Sequence, residues 1–196
     1  MTNELKGEVE LILPIGKNLT KFSANDTKKD LANYWDKDFI KDKMQHITSP
    51  KDKMLCEFLW RSGVRISEAL SIRKQDIDFK NYMIRVRWLK SRKYNERMVP
   101  MHPTLKLILE AYTGGFNAED KIFPYTRTRA YQIVHKWFAG HPHQFRHSYA
   151  VNFLRQGGRL EILHRLLGHK SLQATMEYTK IVPLDQGQEL LKISFD

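Results

Sequence analysis

Between Tyr82 and Leu89 the chain alternates apolar and basic residues with a period of two, whereas most other apolar runs repeat near helical spacing. Tyr82-Met-Ile-Arg-Val-Arg-Trp-Leu89 therefore reads as a half-buried strand. Residues 91–95 form a turn, and Arg97-Met-Val-Pro-Met101 returns as a second strand. One hairpin set among helical segments implies segregation of strands and helices rather than alternation. The expected fold class is α+β, mainly α-helical, with one small antiparallel sheet inserted in the first half.

Leu31, Tyr34, Trp35, Phe39, Ile40 and Met44 predict an amphipathic helix over residues 28–47. Thr48-Ser49-Pro50 reads as a helix start, a strongly apolar helix runs on to Trp60, and Ser62-Gly63 ends it. The next helix spans residues 67–73, with Leu70 facing inward. Beyond the hairpin, a helix over 104–112 meets the Gly114-Gly115 break. Helical patterns then cover 127–138, 144–156, 160–167 and 172–179, with a last amphipathic piece around 184–191. Residues 1–27 mix a short apolar run with polar residues and form a strand or a loose arm. There is no internal repeat.

The formal charge of this 196-residue chain is +11. Residues 83–106 carry seven Lys/Arg against one acid, and residues 121–180 carry ten against two. Basic surface concentrated in two windows suits a polyanionic partner, because each neutralised phosphate releases condensed counterions. No run of about 18 apolar residues exists, so no membrane span is expected. Residues 1–17 do not read as a secretory signal. The single cysteine, Cys56, lies in an apolar run and reads as a buried core thiol, which fits a reducing cytoplasm.

Three segments carry the chemistry: Gly63-Val-Arg65-Ile-Ser-Glu68-Ala-Leu70, His143-Gln-Phe-Arg146-His147, and Leu167-Gly-His169-Lys-Ser-Leu-Gln-Ala-Thr-Met-Glu-Tyr178. His143 and Arg146 are three apart on a helix and project from one face. Gly168 allows a tight approach at a helix end, and nine residues after His169 the chain returns with Tyr178. Two arginines, two histidines and a tyrosine can thus converge on one phosphate-sized site. Guanidiniums hold non-bridging phosphate oxygens in pairs, which lysine cannot reproduce. A tyrosine with an ordinary pKa of ~10 needs cationic neighbours or a base before it attacks at neutral pH. A lysine on a hairpin can protonate the departing sugar oxygen.

These segments resemble the tyrosine recombinase (phage integrase) family, Xer-type enzymes included, over residues 34–182. The match covers its T/S-G-x-R-x-S-E-x-L, H-x-L-R-H and L-G-H-x-S-x-x-T-x-x-Y boxes, with Phe145 where leucine is usual. The resemblance implies the family's catalytic-domain fold and site-specific cleavage and rejoining of DNA through a 3′-phosphotyrosyl bond to Tyr178. It implies that Arg65 and Arg146 bind the scissile phosphate and that His143 and His169 assist with hydrogen bonds and proton transfer. Glu68 supports the site. The family's hairpin lysine falls on Lys90, with Lys93 as second candidate, because this hairpin is about one residue longer than the common pattern. No cofactor and no metal are implied. The implied partners are double-stranded DNA bearing recombination sites and further copies of the chain, as a dimer or tetramer on DNA, in the cytoplasm at the nucleoid.

Alternative readings stand beside these. His141, His143 and His147 could ligate a metal, but no carboxylate or cysteine cluster accompanies them. Arg129, Gln132 and Lys136 share one face of the 127–138 helix. In this family a helix at that place enters the major groove, so they are DNA-binding candidates together with Arg92 and Lys93, against the alternative of a solvated charged face. Trp88 and Trp137 read as packing residues. The expected organisation is an arm over 1–33, a catalytic domain over 34–182, and a tail over 183–196 that docks on a neighbouring protomer or folds back on its own core. Family members usually carry a separate DNA-clamping domain ahead of the catalytic one. The short leader here is expected to reflect a natural one-domain protein, similar in size to the fimbrial invertases, or an excised catalytic fragment.

Overall fold

The computed structural model describes residues 34–90, 93–169 and 171–182, and the side chains of Trp88, Leu89, Lys90, Lys93 and Tyr94 lie outside that description. The expectations for residues 1–33, for the tail beyond residue 182 and for Arg92 therefore also lie outside it.

Helix α1 (Lys37–His46) begins where the Asp36 carboxylate accepts the amide of Asp38. Helix α2 (Pro50–Ser62) has Ser49 as its cap and proline in its first turn, as the sequence predicts. It ends at Gly63, whose φ of +64° is a left-handed conformation that a glycine adopts at little cost. Met54, Leu55, Cys56, Phe58 and Leu59 are all buried, so α2 is the central rod of the larger core, packed against α1, α4 (Pro103–Tyr112) and α6 (Pro142–Arg155). Burial pushes the Cys56 thiol well above its ordinary pKa, which makes it an inert core group.

The helix expected over 67–73 is shorter: α3 spans Ile66–Ala69. The chain is drawn out beyond it because Ile72 accepts the amide of Ile122 and Arg73 bridges to Lys121. A 3-10 turn at Lys74–Asp76 then leads into a two-residue strand β1 (Ile77–Asp78), too short to show a period. The hairpin strands β2 (Met83–Lys90) and β3 (Lys93–Pro100) are antiparallel neighbours in a three-stranded sheet ordered β1-β2-β3. The expected turn over 91–95 is tighter, because Lys90 pairs with Lys93 and Leu89 with Tyr94. Lys93-Tyr-Asn-Glu96 has no apolar alternation, so its strand character comes from pairing with β2.

Helices α5 (Arg127–Phe138), α6 and α7 (Leu160–Leu167) fall close to their expected spans. The helix expected over 172–179 divides into α8 (Gln173–Met176) and a 3-10 turn over Glu177–Lys180. Ala150, Val151, Leu154, Leu163, Leu167, Tyr178 and Val182 build a second, smaller core. Trp137 packs against the larger core and its indole N–H donates to the buried Asp52 carboxylate at 3.3 Å, as a packing residue would. Among the described residues no helix is long and apolar enough to cross a membrane.

Candidate active site

Arg146 is a fully buried arginine on α6, 1% exposed. Its guanidinium donates to the Gly63 carbonyl at 2.9 Å and to the Leu167 carbonyl at 2.6 Å. Those carbonyls are at the C-terminal ends of α2 and α7, where helix carbonyls lack intrahelical partners and the macrodipole is negative. One side chain thus ties together three of the sequence segments singled out for chemistry. Burial and the nearby charge of Arg65 lower the Arg146 pKa to about 9, with Glu68 opposing them, so it stays cationic at neutral pH.

Arg65 precedes α3. Its backbone amide donates to Glu68 Oε2 at 2.8 Å and its guanidinium to Oε1 at 3.1 Å. Arg65 and Glu68 thus form an ion pair, yet 39% of the Arg65 side chain stays exposed, with donors to spare. Glu68 is only 2% exposed and receives a second arginine: Arg97 from β3 donates two parallel hydrogen bonds, at 2.9 and 3.0 Å. Burial pushes the Glu68 carboxyl up, but the hydrogen bonds and charge of Arg97, with those of Arg65, outweigh it and leave the pKa below the usual range. Glu68 thus holds β3 through a bidentate pair with Arg97. In the sequence Arg97 reads only as part of a strand, and nothing near it signals this partner.

Gly168 has φ +62° and closes α7. A Cβ there would lie 3.1 Å from the Arg97 guanidinium carbon, so this glycine serves close approach as well as the turn. His169 follows, half-buried, its ring parallel to that of Tyr178 at 6.4 Å between centroids with an interplanar angle of 9°. Its Nδ1 is 2.8 Å from Oγ1 of Thr175. Burial, then the charges of Arg146 and Arg65, depress the His169 pKa to about 3.

Tyr178 is 2% exposed and its hydroxyl shares a 2.8 Å hydrogen bond with Nδ1 of His147. Burial raises the phenol pKa while the charges of Arg146 and Arg65 act against it, so both guanidiniums bear electrostatically on the hydroxyl. The sequence places His147 in the His143-Gln-Phe-Arg146-His147 box and offers it as a possible metal ligand, but nothing there signals its contact with Tyr178. It is buried, with a pKa lowered to about 3 by burial and then by His143 and Arg146. The His143 ring is exposed and meets His147 edge to face at 4.7 Å.

The structure thus assembles Arg65, Glu68, Arg146, His169 and Tyr178 around one locus, with His143 beside it through His147. Lys90 and Lys93 are paired residues at the hairpin end, which leaves both as candidates. Arg129, Gln132 and Lys136 are all exposed on α5, with the Lys136 ammonium 4.4 Å from the Trp137 ring centroid. Among the described residues no group of three or more His, Cys, Asp or Glu side chains is placed to hold a metal ion.

Residues 33–183 match the family model described as Phage integrase family. The chain is 37% identical over 147 residues to tyrosine recombinase XerA of Saccharolobus solfataricus, covering 72% of this chain and 50% of that protein. It is 34% identical over 151 residues to tyrosine recombinase XerD of Chlorobaculum tepidum, covering 67% and 49%. The chain spans about half the length of these relatives. Among solved structures, the fold is similar to a XerA recombinase (TM-score 0.65, 22% identity, 81% of this chain and 62% of that one). It is also similar to the catalytic domain of bacteriophage HP1 integrase (TM-score 0.64, 19% identity, 82% and 94%).

Proposed function

The chain belongs to the phage integrase family, and from that premise we propose that it is a site-specific DNA recombinase that cuts and rejoins DNA through a covalent bond between Tyr178 and the scissile phosphate. The observation that carries this reading is the convergence of Arg146, Arg65 and Tyr178, drawn from three distant segments, at one partly buried locus. An anionic phosphate is the ligand such a locus accepts: two guanidiniums offer paired donors, and a half-buried imidazole adds a third.

In the proposed reaction the Tyr178 oxygen attacks phosphorus and the bond from phosphorus to the 5′ oxygen breaks. The phenolic proton leaves to a base, and the departing 5′ oxygen takes a proton, with Lys90, or Lys93, as the donor. The 3′ phosphate stays on Tyr178, so phosphodiester energy is retained and rejoining is the same displacement in reverse. Arg65 and Arg146 hold the non-bridging oxygens as negative charge grows, and His143 and His169 add hydrogen bonds. Glu68 keeps Arg65 oriented.

The partners in this reading are duplex DNA and other copies of the chain, paired on recombination sites at the nucleoid. Residues 34–182 form the catalytic domain, 1–33 an arm and 183–196 a protomer-docking tail. Arg129, Gln132 and Lys136 of α5, with Arg92 and Lys93 of the hairpin, meet the DNA. Incubation with a duplex carrying a nick beside the cleavage position, which traps the cut strand, should yield a protein–DNA adduct that maps to Tyr178. Absence of the adduct on a library of duplexes, with DNA binding intact, sinks the reading.

A further inference from the structure

Thr175 is 0% exposed, and its hydroxyl oxygen lies between two imidazoles. Nδ1 of His169 is 2.8 Å away on one side and Nδ1 of His164 is 3.2 Å away on the other. A threonine hydroxyl has one proton to give and lone pairs with which to receive. It cannot donate to both rings, so at least one imidazole must offer an Nδ1–H, and where the threonine proton goes to one ring the other ring is that donor. The tautomers of two histidines five residues apart are therefore linked through a single buried oxygen.

The two arrangements differ in what His169 shows to a ligand. His169 is neutral at pH 7 and carries one ring proton. If its Nδ1–H donates to Thr175, then Nε2 is a bare lone pair. If Thr175 donates to Nδ1, the proton sits on Nε2 and that nitrogen is a donor. The second arrangement requires His164 to donate its Nδ1–H to Thr175. His164, in the last turn of α7, is only half-buried, so water can serve its other nitrogen. A phosphate oxygen held by Arg65 and Arg146 repels a lone pair and attracts an N–H, which selects the second arrangement once DNA is bound.

We propose that Thr175 and His164 are positioning residues for His169: a chain of donors running His164, Thr175, His169 holds the His169 proton on Nε2, where it can be given to a phosphate oxygen. This rests on the phosphate-binding function proposed above. Neither residue touches the phosphate itself. The short helix α8 exists, in this light, to bring the Thr175 hydroxyl back beneath the end of α7 before the chain reaches Tyr178.

The test uses the full chain with 15N-labelled histidine rings, bound to the nicked duplex, alongside single-turnover cleavage. Nδ1 of His169 should give a bare-type resonance and Nε2 a protonated-type one. Thr175→Val should turn this into a mixture and slow cleavage about tenfold or more, part of the usual contribution of an oriented acid–base group. Thr175→Ser should restore both readouts, which a loss of mere packing would not explain. His164→Leu, at a half-buried position, should shift the same resonances, and His164→Gln should recover them through its amide N–H. A His169 whose Nε2 is bare in the wild type, or whose tautomer ignores both Thr175→Val and His164→Leu, overturns the proposal. If the wild type cleaves normally in that case, the recombinase reading survives alone. If the tautomer responds as expected but no DNA is ever cleaved, the recombinase reading fails instead.

Discussion

The hydroxyl of Tyr178 and Nδ1 of His147 share a 2.8 Å hydrogen bond between two side chains that are 2% and 6% exposed. Nε2 of the same imidazole is buried with no partner among the described residues. Among the described residues the tyrosine oxygen is therefore the one hydrogen-bond partner of the His147 ring. Tyr178→Phe should abolish the covalent adduct while leaving affinity for duplex DNA nearly unchanged. It should also lower stability by about 1–3 kcal/mol, because it strands a buried imidazole nitrogen. Adduct gels and urea denaturation check the two effects, and an unaltered adduct yield would mean the nucleophile lies elsewhere.

Acid should destabilise the protein before its carboxylates titrate. His147 and His169 have folded pKa values near 3 against an ordinary 6.5. The unfolded chain therefore binds more protons between those values, and stability falls as pH drops from about 6.5 toward 3. The loss should reach a few kcal/mol, roughly, since each unit of pKa difference is worth about 1.4 kcal/mol before solvent screening is discounted. Urea midpoints at pH 7, 5.5 and 4.5 should decline in order, and His147→Gln should flatten the decline. Equal midpoints at all three would contradict the burial of these rings.

Removing Glu68 should be among the most damaging single changes. Glu68→Ala leaves Arg97, whose side chain is 12% exposed, without its bidentate partner, and removes the carboxylate that accepts the Arg65 amide. Breaking a buried pair from one side costs about 3–5 kcal/mol. Glu68→Gln keeps the shape and should cost less. Thermal unfolding orders the two variants, and a Glu68→Ala protein as stable as the wild type would refute the clamp.

Gly63→Ala should disturb both fold and site. The residue has φ +64°, and a Cβ there would lie 2.5 Å from Cδ1 of the Tyr149 ring. Strain at the left-handed position alone costs about 1 kcal/mol or more. The Gly63 carbonyl is also an acceptor for Arg146, so cleavage should slow beyond what the loss of folded protein explains. Arg146→Lys, which cannot span two carbonyls and a phosphate, should slow it by about a hundredfold. Single-turnover rates normalised to folded protein decide both, and unchanged rates would detach Arg146 from the chemistry.

The exposed face of α5 should report on DNA directly. Arg129→Ala and Lys136→Ala should each weaken duplex binding and reduce the slope of log affinity against log salt by about 1 if they touch phosphates. Gln132→Ala should alter sequence preference with no change in that slope. Salt titrations of binding separate these outcomes, and three unchanged slopes with unchanged preference would return the face to solvent.

Local chemistry in the sequence determined a good deal. Ser49-Pro50 and Gly63 bound α2 because a cap, a fixed φ and a left-handed residue act within a few positions of themselves. The alternation from Tyr82 marked β2, and the three boxes pointed to Arg65, Glu68, Arg146, His169 and Tyr178. β3 was partly hidden, since Lys93 to Glu96 become a strand only through their partners on β2. The partners of the site residues were hidden for a similar reason. Arg97 reaches Glu68 across 29 positions, His147 reaches Tyr178 across 31, and Arg146 reaches Gly63 across 83. Periodicity reports which face of an element is buried, and it carries no information about which distant polar atom waits there. That choice was made by packing: burying Arg146, Glu68, His147 and Thr175 in one place obliged each to find a hydrogen-bond partner, and the tertiary structure decided which.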